Sequence, residues 1–260
     1  MPAVVTCGVH SRAVSLDENL ATAIIAGAVA LVAAGVAAWA SLAAVRLQQR
    51  VGQLEKTEQR QIELIKTVAP YREPLARAAY DLQSRIFTVV TSDYFGPSMA
   101  AASAREQAYR LQNTAFLFAQ LFAWMEITRR EIQFIDLGND LDTRTLAHRQ
   151  DSLHSQLHIE ALGSTFRIFP GEQRGIGERM IAGKRPALEC IGYGTFLNRI
   201  AAPSVDPLLA LLQSEVASLA ASPAPARPRL VAVQNSLIDL LQVLDPKFLR
   251  FPAKSRTKIK

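Results

Sequence analysis

The sequence predicts an all-α protein with a single N-terminal transmembrane helix, a helical stalk and one globular helical domain. Residues 20–45 contain no charged side chain. Beyond them, apolar residues recur three or four positions apart, which is the spacing of one helix face. The chain shows no internal repeat and no alternation of strand and helix patterns. We therefore expect five segments: an N-terminal segment at 1–18, the transmembrane helix at 19–45, a juxtamembrane stalk at 46–69, a domain at 70–246 and a basic tail at 247–260.

The uncharged stretch is long enough to cross a bilayer, because about 20 apolar residues span a hydrocarbon core of ~30 Å. A cleaved signal peptide is the rival interpretation, since Ala38-Trp39-Ala40 has the small-x-small form of a cleavage site. The preceding residues carry Arg12 as their only Lys or Arg, whereas a signal peptide begins with a basic region. The sequence therefore favours an uncleaved anchor.

The charges beside this span predict its orientation. Lys and Arg next to a transmembrane helix remain on the cytoplasmic side. The N-terminal flank carries Arg12 alone, whereas the C-terminal flank carries Arg46, Arg50, Lys56, Arg60 and Lys66. We expect a single-pass protein of the inner membrane with its N-terminus outside and its domain in the cytoplasm. Cys7 and Cys190 would then lie on opposite sides of the bilayer, which fits a domain without disulfides in a reducing compartment.

Two patterns predict a parallel homodimer. A row of small residues four apart in the span would let two helices approach closely in lipid. After the span, spacings of four and three form a heptad seam with two polar interruptions. The small row is Thr22, Ala26, Ala30, Ala34 and Ala38, and the seam is Leu47, Val51, Leu54, Glu58, Gln61, Ile65 and Val68. An alanine-rich span also produces such rows by chance, so a monomer remains the alternative.

The domain is expected to begin where Pro70 and Pro74 end the stalk, because proline interrupts a helix. A second helix, at 102–137, holds an apolar run at 115–125 that is too short to cross a bilayer and is expected to be buried. The first helix of the domain, after Pro74, has an apolar face at Leu75, Ala78, Ala79, Leu82, Ile86 and Val89, and a later helix carries Leu146, Leu153 and Leu157. A strand or extended link is expected at 166–169. Further helices are expected at 190–200, 207–221 and 229–244, with a proline-rich linker at 222–228.

The basic character of the chain belongs to its tail. The net charge is +6, yet residues 247–260 contain six bases and no acid, so the rest of the chain is neutral overall. Next to an anchor, such a tail suits the anionic inner leaflet of the lipid bilayer. The residues expected at that surface are Lys247, Phe248, Arg250, Phe251, Lys254, Arg256, Lys258 and Lys260. A solvated, disordered end is the alternative, and nucleic acid is the less favoured partner.

One cluster has the spacing of metal ligands. Asp151, His154 and His158 share one side of a helix, as the ligands of a zinc or iron site do. The segment lacks the HExxH arrangement, and no second cluster supplies further ligands. The alternative is a solvent-facing side beside the leucine stripe, and we predict neither a metal nor a cofactor.

Charged residues supply the candidates for a pocket. GEQRGIG at 171–177 is rich in glycine, but it lacks the preceding strand and the Gly-Lys-Ser/Thr of a phosphate-binding loop. A turn that opens a helix explains it better. Glu172, Arg174, Asp81 and Arg85 are of the types that form buried pairs between helices or line a pocket.

Four stretches carry a resemblance to a group of bacterial membrane proteins that has no established function. They are YREPLARAAYDLQSRI, FAWMEITRREIQFIDLG, GEQRGIGERMI and RLVAVQNSLIDLLQVLDP, in that order along residues 70–246. The resemblance implies a mainly helical domain behind a membrane anchor, and it implies no activity.

These patterns favour a non-enzymatic protein whose domain binds a protein partner or scaffolds an assembly. The chain offers no coherent catalytic constellation that would favour an enzyme. The alternative is a membrane-tethered enzyme or small-ligand sensor with a pocket between helices. A cavity that gathers the charged candidates would favour this alternative.

Overall fold

The computed structural model describes residues 10–132, 140–184, 187–202 and 204–260. Helices dominate these residues, which confirms the predicted all-α class. Single turns of 3-10 helix lie at Glu160–Leu162, Ala224–Ala226 and Ala253–Ser255. The other elements are α1 (His10–Thr91), α2 (Pro97–Ala100), α3 (Ala104–Ile132), α4 (Asp140–His158), α5 (Pro170–Arg179), β1 (Ile181–Lys184), β2 (Ala187–Cys190), α6 (Tyr193–Ile200), α7 (Pro207–Ala221) and α8 (Arg227–Leu244).

The chain divides into two compact units, Met1–Arg60 and Gln61–Lys260. In the first unit, Thr22–Gln53 is the one segment of the described residues that is long and apolar enough to cross a membrane. Its most apolar window has a mean hydropathy of 2.2, and none of that window is buried. A signal sequence near the N-terminus passes the same test of length and composition. The finding therefore shows that this segment could span a membrane, and it assigns no orientation.

The prediction that Pro70 and Pro74 end the stalk helix is wrong. Helix α1 continues through both prolines to Thr91. Each proline removes a helical N–H and crowds the carbonyl four residues earlier, at a cost of about 3 kcal/mol. The apolar face predicted after Pro74 is buried, and its packing opposes that cost: Leu75, Ala78, Ala79, Leu82, Ile86 and Val89. A coiled coil of two such helices stays a prediction.

Helix α3 is central to the second unit. Its apolar run is buried as predicted, apart from the half-buried Gln120 and Trp124. Helices α5, α6 and α7 pack against α3, and α4 packs against α8. The predicted end of this helix at Leu137 lies outside the described residues.

The glycine-rich segment explains how α5 reaches α3. The predicted turn is not seen there, because the whole segment from Pro170 is helical. A Cβ at Gly177 would lie 2.6 Å from the carbonyl oxygen of Phe122. Real Cβ atoms do not approach a backbone oxygen so closely, so only glycine lets the two helix backbones meet. The glycine serves helix packing and not phosphate binding.

A two-stranded hairpin was not predicted. Strands β1 and β2 pair antiparallel, with Ile181 opposite Cys190 and Lys184 opposite Ala187. Cys190 therefore ends a strand, and helix α6 begins three residues later, at Tyr193. Of residues 166–169, where a strand or an extended link was expected, Phe166 lies in a turn with φ = 53°, and 167–169 form a link outside any strand. Strands of four residues are too short to display an alternating pattern that sequence alone could reveal.

The C-terminal tail is part of the fold and not a free basic end. Phe251 is 2 % exposed, and its ring stacks on Tyr80 of α1 with 4.4 Å between ring centroids. Gln234 of α8 donates to the carbonyl of Thr257 at 2.9 Å and accepts from the N–H of Ile259 at 3.2 Å. The predicted linker at 222–228 is likewise compact: after its 3-10 turn, α8 begins at Arg227.

Candidate functional site

A polar groove in the second unit brings together two of the four predicted pocket residues, Asp81 and Arg85. Both lie on α1, one helical turn apart, and the groove has a volume of about 430 Å³. This size falls within the range of small-molecule sites, roughly 300–1,000 Å³. The lining residues are Tyr80, Asp81, Ser84, Arg85 and Thr88 from α1, and Asn113 and Leu117 from α3.

Arg85 is held by neighbours on α3 and in the α1–α2 connection. Its guanidinium donates to Oδ1 of Asn113 at 2.7 Å and to Oγ1 of Thr114 at 3.2 Å. It also lies 4.5 Å from the ring centroid of Tyr94, a cation–π contact. Burial lowers the pKa of this guanidinium, and a hydrogen bond to Tyr109 partly opposes that shift. The guanidinium of Arg85 thus remains charged and already has hydrogen-bond partners in the protein.

The carboxylate of Asp81, by contrast, has fewer interactions with the protein than Arg85 has. Its side chain is half-buried, and no hydrogen bond or ion pair to it is found among the described residues. Burial raises the pKa of this carboxyl group, and the charge of Arg77 only partly opposes the rise. Perturbed carboxylates in a cleft are candidates for functional groups.

The other two pocket candidates lie elsewhere. Glu172 accepts a hydrogen bond from the backbone N–H of Phe169 at 2.8 Å and so caps the N-terminus of α5. Arg174 is exposed on the same helix. Neither Glu172 nor Arg174 lines the groove, so a pocket role for these two candidates stays a prediction.

The histidine pair is tied to protein acceptors. Nδ1 of His154 contacts Oε1 of the buried Gln173, and Nδ1 of His158 lies 2.9 Å from the carbonyl oxygen of His154. Burial lowers the pKa of His154, with the Gln173 contact opposing the shift, so the ring is neutral at pH 7. Asp151 is exposed. Across the described residues, no group of three His, Cys, Asp or Glu side chains is placed to hold a metal ion, so the three candidates stay without further ligands.

The tail residues predicted to contact a membrane divide into three sets: buried, ion-paired and otherwise exposed. Arg256 is buried and ion-paired with the buried Asp245, so the prediction of surface contact is wrong for Arg256 and Phe251, because both complete the core. Two bases are paired with acids: Arg250 with Glu73 at 3.2 Å, and Lys258 with Asp239 at 2.7 Å. The exposed remainder consists of Lys247, Phe248, Lys254 and Lys260.

Asp245 organises the turn that carries two of these exposed residues, Lys247 and Phe248. Its carboxylate accepts the backbone N–H groups of Leu249, Arg250 and Phe251 at 2.9, 3.2 and 3.1 Å. Phe248 has φ = 54°, a left-handed conformation that is strained for an aromatic residue. Leu249 beside it is 79 % exposed. The carboxylate thus fixes a turn that presents two apolar side chains to solvent.

Sequence reasoning missed three buried polar residues that fix the helices. Arg229 is 0 % exposed and donates to four backbone carbonyls around the end of α4, those of Gln156, Ile159, Gly163 and Thr165. Gln83 and Gln234 hydrogen-bond to each other at 3.2 Å. Spacing could have identified Arg229, because it lies four and eight residues before the buried Val233 and Leu237 on one helix face.

Comparison with known proteins gives no match to a family model, and no curated protein or solved structure matches the chain significantly.

Proposed function

We propose that this protein is a single-pass membrane protein whose helical domain lies on the cytoplasmic side of the inner membrane and binds a protein partner. The observation that carries the proposal is the helix Thr22–Gln53, whose apolar side chains are fully exposed in the structure. Exposed Leu31 and Trp39 on such a helix support this proposal, because leucine favours the hydrocarbon core and tryptophan the membrane interface. The excess of Lys and Arg after the span supports the orientation.

Reporter fusions test the orientation. A fluorescent protein that folds only in the cytoplasm, fused after Lys260, is expected to fluoresce, whereas alkaline phosphatase at the same position is expected to be inactive. The opposite pair of results would overturn the topology. Mass spectrometry of the purified chain tests the rival signal peptide, because cleavage after Ala40 would remove the first forty residues.

The exposed turn around Leu249 supports an interaction role. Phe248 and Leu249 face solvent on a turn that the hydrogen bonds of Asp245 fix, and aromatic side chains such as phenylalanine are enriched in protein interfaces. We expect cross-linking in membranes to give a discrete complex, which Leu249→Ser weakens. Val205→Ser is the matched control, since Val205 is also exposed, at 72 %, but lies outside this turn. A chain recovered alone after cross-linking, from several detergents, would count against the proposal.

A membrane-tethered small-ligand sensor is the second candidate function. The groove supports it, because Asp81 and Arg85 of α1 both line it where α1 meets α3. Binding of a ligand to the groove would act on α1, which contributes residues to both compact units. A ligand that raises the unfolding temperature of the wild-type chain, with a smaller effect on a groove variant, is the result expected for a sensor.

A further inference from the structure

A pocket of about 500 Å³ lies beside the turn that carries Leu249, where α1 passes the C-terminal end of α8. Many of its lining residues are apolar: Ala76, Leu244, Pro246, Leu249 and Phe251. Leu249 lines the pocket and is exposed to solvent as well. Phe248, which does not line the pocket, is 46 % exposed next to it. The surface thus combines a concave part with protruding apolar side chains, which is the form that takes the anchor residues of a protein partner.

The exposed charges around this pocket are mostly basic. Three exposed bases line it against one exposed acid: Arg72, Lys247 and Arg250 against Glu73. The other acid of the lining, Asp245, is buried. Its carboxylate already pairs with Arg256 and accepts three backbone N–H groups. Asp245 therefore adds no free negative charge to the surface.

Two of the three bases have no acidic partner in the part of the chain that the structure describes. Lys247 is exposed, and Nε of Arg72 donates to the carbonyl of Leu244 at 2.7 Å, where it offsets the negative end of the α8 dipole. The third base, Arg250, pairs with Glu73, but both side chains are more than half exposed, and such pairs contribute little. The surface thus keeps an excess of positive charge.

We propose that the protein partner presents an acidic segment to this surface, with one apolar side chain in the pocket and its carboxylates beside Lys247 and Arg72. The inference rests on the proposed interaction function and names the chemistry of the partner. Complementary charges speed association and select among partners, while the apolar pocket supplies the anchor. A basic segment would be repelled by the three bases.

Two other occupants fit the same surface less well. An anionic bilayer also attracts lysine and arginine, but a flat lipid surface that touches the protruding turn leaves the concave pocket unfilled. A small anion would fill the pocket and leave the ring of Phe248 exposed, since that residue lies outside the lining. A protein segment covers both parts.

Fluorescence anisotropy on the full chain in phosphatidylcholine nanodiscs tests the proposal with a labelled peptide that has a central leucine flanked by glutamates and aspartates. The matched probes carry lysine in place of every acid, or serine in place of the leucine. We expect saturable binding of the acidic leucine peptide, weaker binding of its serine form and no binding of the lysine form. Affinity should fall as salt rises, because salt screens exposed charges. No saturable binding of the acidic peptide, or equal binding of the lysine peptide, would overturn the proposal.

A charge reversal at the pocket tests the position of the contact. Lys247→Glu should weaken peptide binding by about fivefold, since it replaces an exposed attraction with a repulsion of similar size. Lys254→Glu is the matched control, because it changes the net charge equally at an exposed base that does not line the pocket. This control should bind as the wild type does. Equal affinities of the two variants would contradict the assigned surface.

A tryptophan beside the pocket distinguishes a peptide from a bilayer. In a Trp39→Phe background, Phe248→Trp should shift its emission to the blue when the acidic peptide is added, because the peptide removes water from the ring. Nitroxide-labelled phosphatidylserine in the nanodisc should leave this emission unquenched. Quenching in the absence of peptide would assign the turn to the bilayer and refute the proposal.

Cross-linking in native membranes separates this inference from the proposed function. We expect the complex to be lost in Lys247→Glu and kept in Lys254→Glu. A complex that Leu249→Ser weakens and Lys247→Glu leaves intact would overturn the inference alone. A complex made only of copies of this chain would assign the surface to a second copy and also overturn it. No complex from the wild-type chain would overturn the proposed function, and the inference with it.

Discussion

Replacing Arg256 with methionine should unfold the domain at a markedly lower temperature. The guanidinium lies inside the fold, where it donates to the carbonyls of Leu241 and Asp245 at 3.2 and 2.9 Å and pairs with the Asp245 carboxylate. It also stacks on Phe248 at 4.6 Å. Methionine fills a similar volume but offers neither charge nor donor. The substitution therefore leaves a buried carboxylate with one partner fewer.

The expected magnitude follows from these contacts. Removing one partner of a buried ion pair costs about 3–5 kcal/mol. Two features of the site favour the lower end of this range of free energies. Asp245 keeps three backbone N–H donors, and Nε of Arg256 is already buried without a partner in the native state. We expect a loss of about 3 kcal/mol, which for a domain of this size lowers the unfolding temperature by ~6–12 °C.

Tryptophan fluorescence measures this loss in the full chain. The chain has two tryptophans, so the Trp39→Phe background leaves Trp124 on α3 as the reporter of domain unfolding. Lys254→Met is the matched control, because Lys254 is an exposed base two residues away on the same segment. Surface changes of this kind stay within about 0.5 kcal/mol.

Acid titration provides a second readout of the same pair. Burial alone would raise the pKa of Asp245, but its backbone hydrogen bonds and Arg256 outweigh burial and lower it. The contribution of Asp245 is therefore complete above its unfolded pKa of about 3.9 and is lost as pH falls through the lower folded pKa. Equal stability of Arg256→Met and the wild type, or an equal loss in Lys254→Met, would refute the view that the tail belongs to the core.

Three further predictions concern packing and reactivity. Gly177→Ala should destabilise the domain by about 1–3 kcal/mol, because the added Cβ would meet the backbone of α3. Gly171→Ala should not, because a Cβ at Gly171 would have open space around it. Thermal unfolding compares the two variants. Arg229→Met should cost about 3 kcal/mol, since it removes a buried guanidinium and leaves four partly buried backbone carbonyls without their donor. Denaturant unfolding measures the loss. In a Cys7→Ser background, Cys190 should resist alkylation by iodoacetamide at pH 8 until the chain unfolds. The reason is that burial raises the pKa of its thiol to about 12. Mass spectrometry detects the alkylated product.

Periodic features were predicted well because they depend on local sequence. The buried faces of α1 and α4 appear at the predicted positions, including Leu82, Leu153 and Leu157. Glu126 pairs with Arg130, four residues later on the same helix, at 2.6 Å, and with Arg129 at 2.6 Å. Each of these follows from which residues share one side of a helix.

The failures share a different origin. Pro70 and Pro74 are tolerated because the residues after them are buried by distant elements. Residue type alone could not show which of the four candidate pocket residues line the groove. Asp81 and Arg85 line it and Glu172 does not, because this depends on which helices pack together in the folded chain.

The sequence alone determined that the chain is helical and carries a segment able to span a membrane, because hydrophobic period and the length of an uncharged stretch are local properties. Only the tertiary structure decided that the basic tail completes the core. Two of its anchors are distant in sequence: Gln83 binds the carbonyl of Ser255, 172 residues away, and Gln234 binds the N–H of Ile259, 25 residues away. No local pattern connects these residues. The same long-range packing turned Arg85 away from Asp81 and left that carboxylate in the groove.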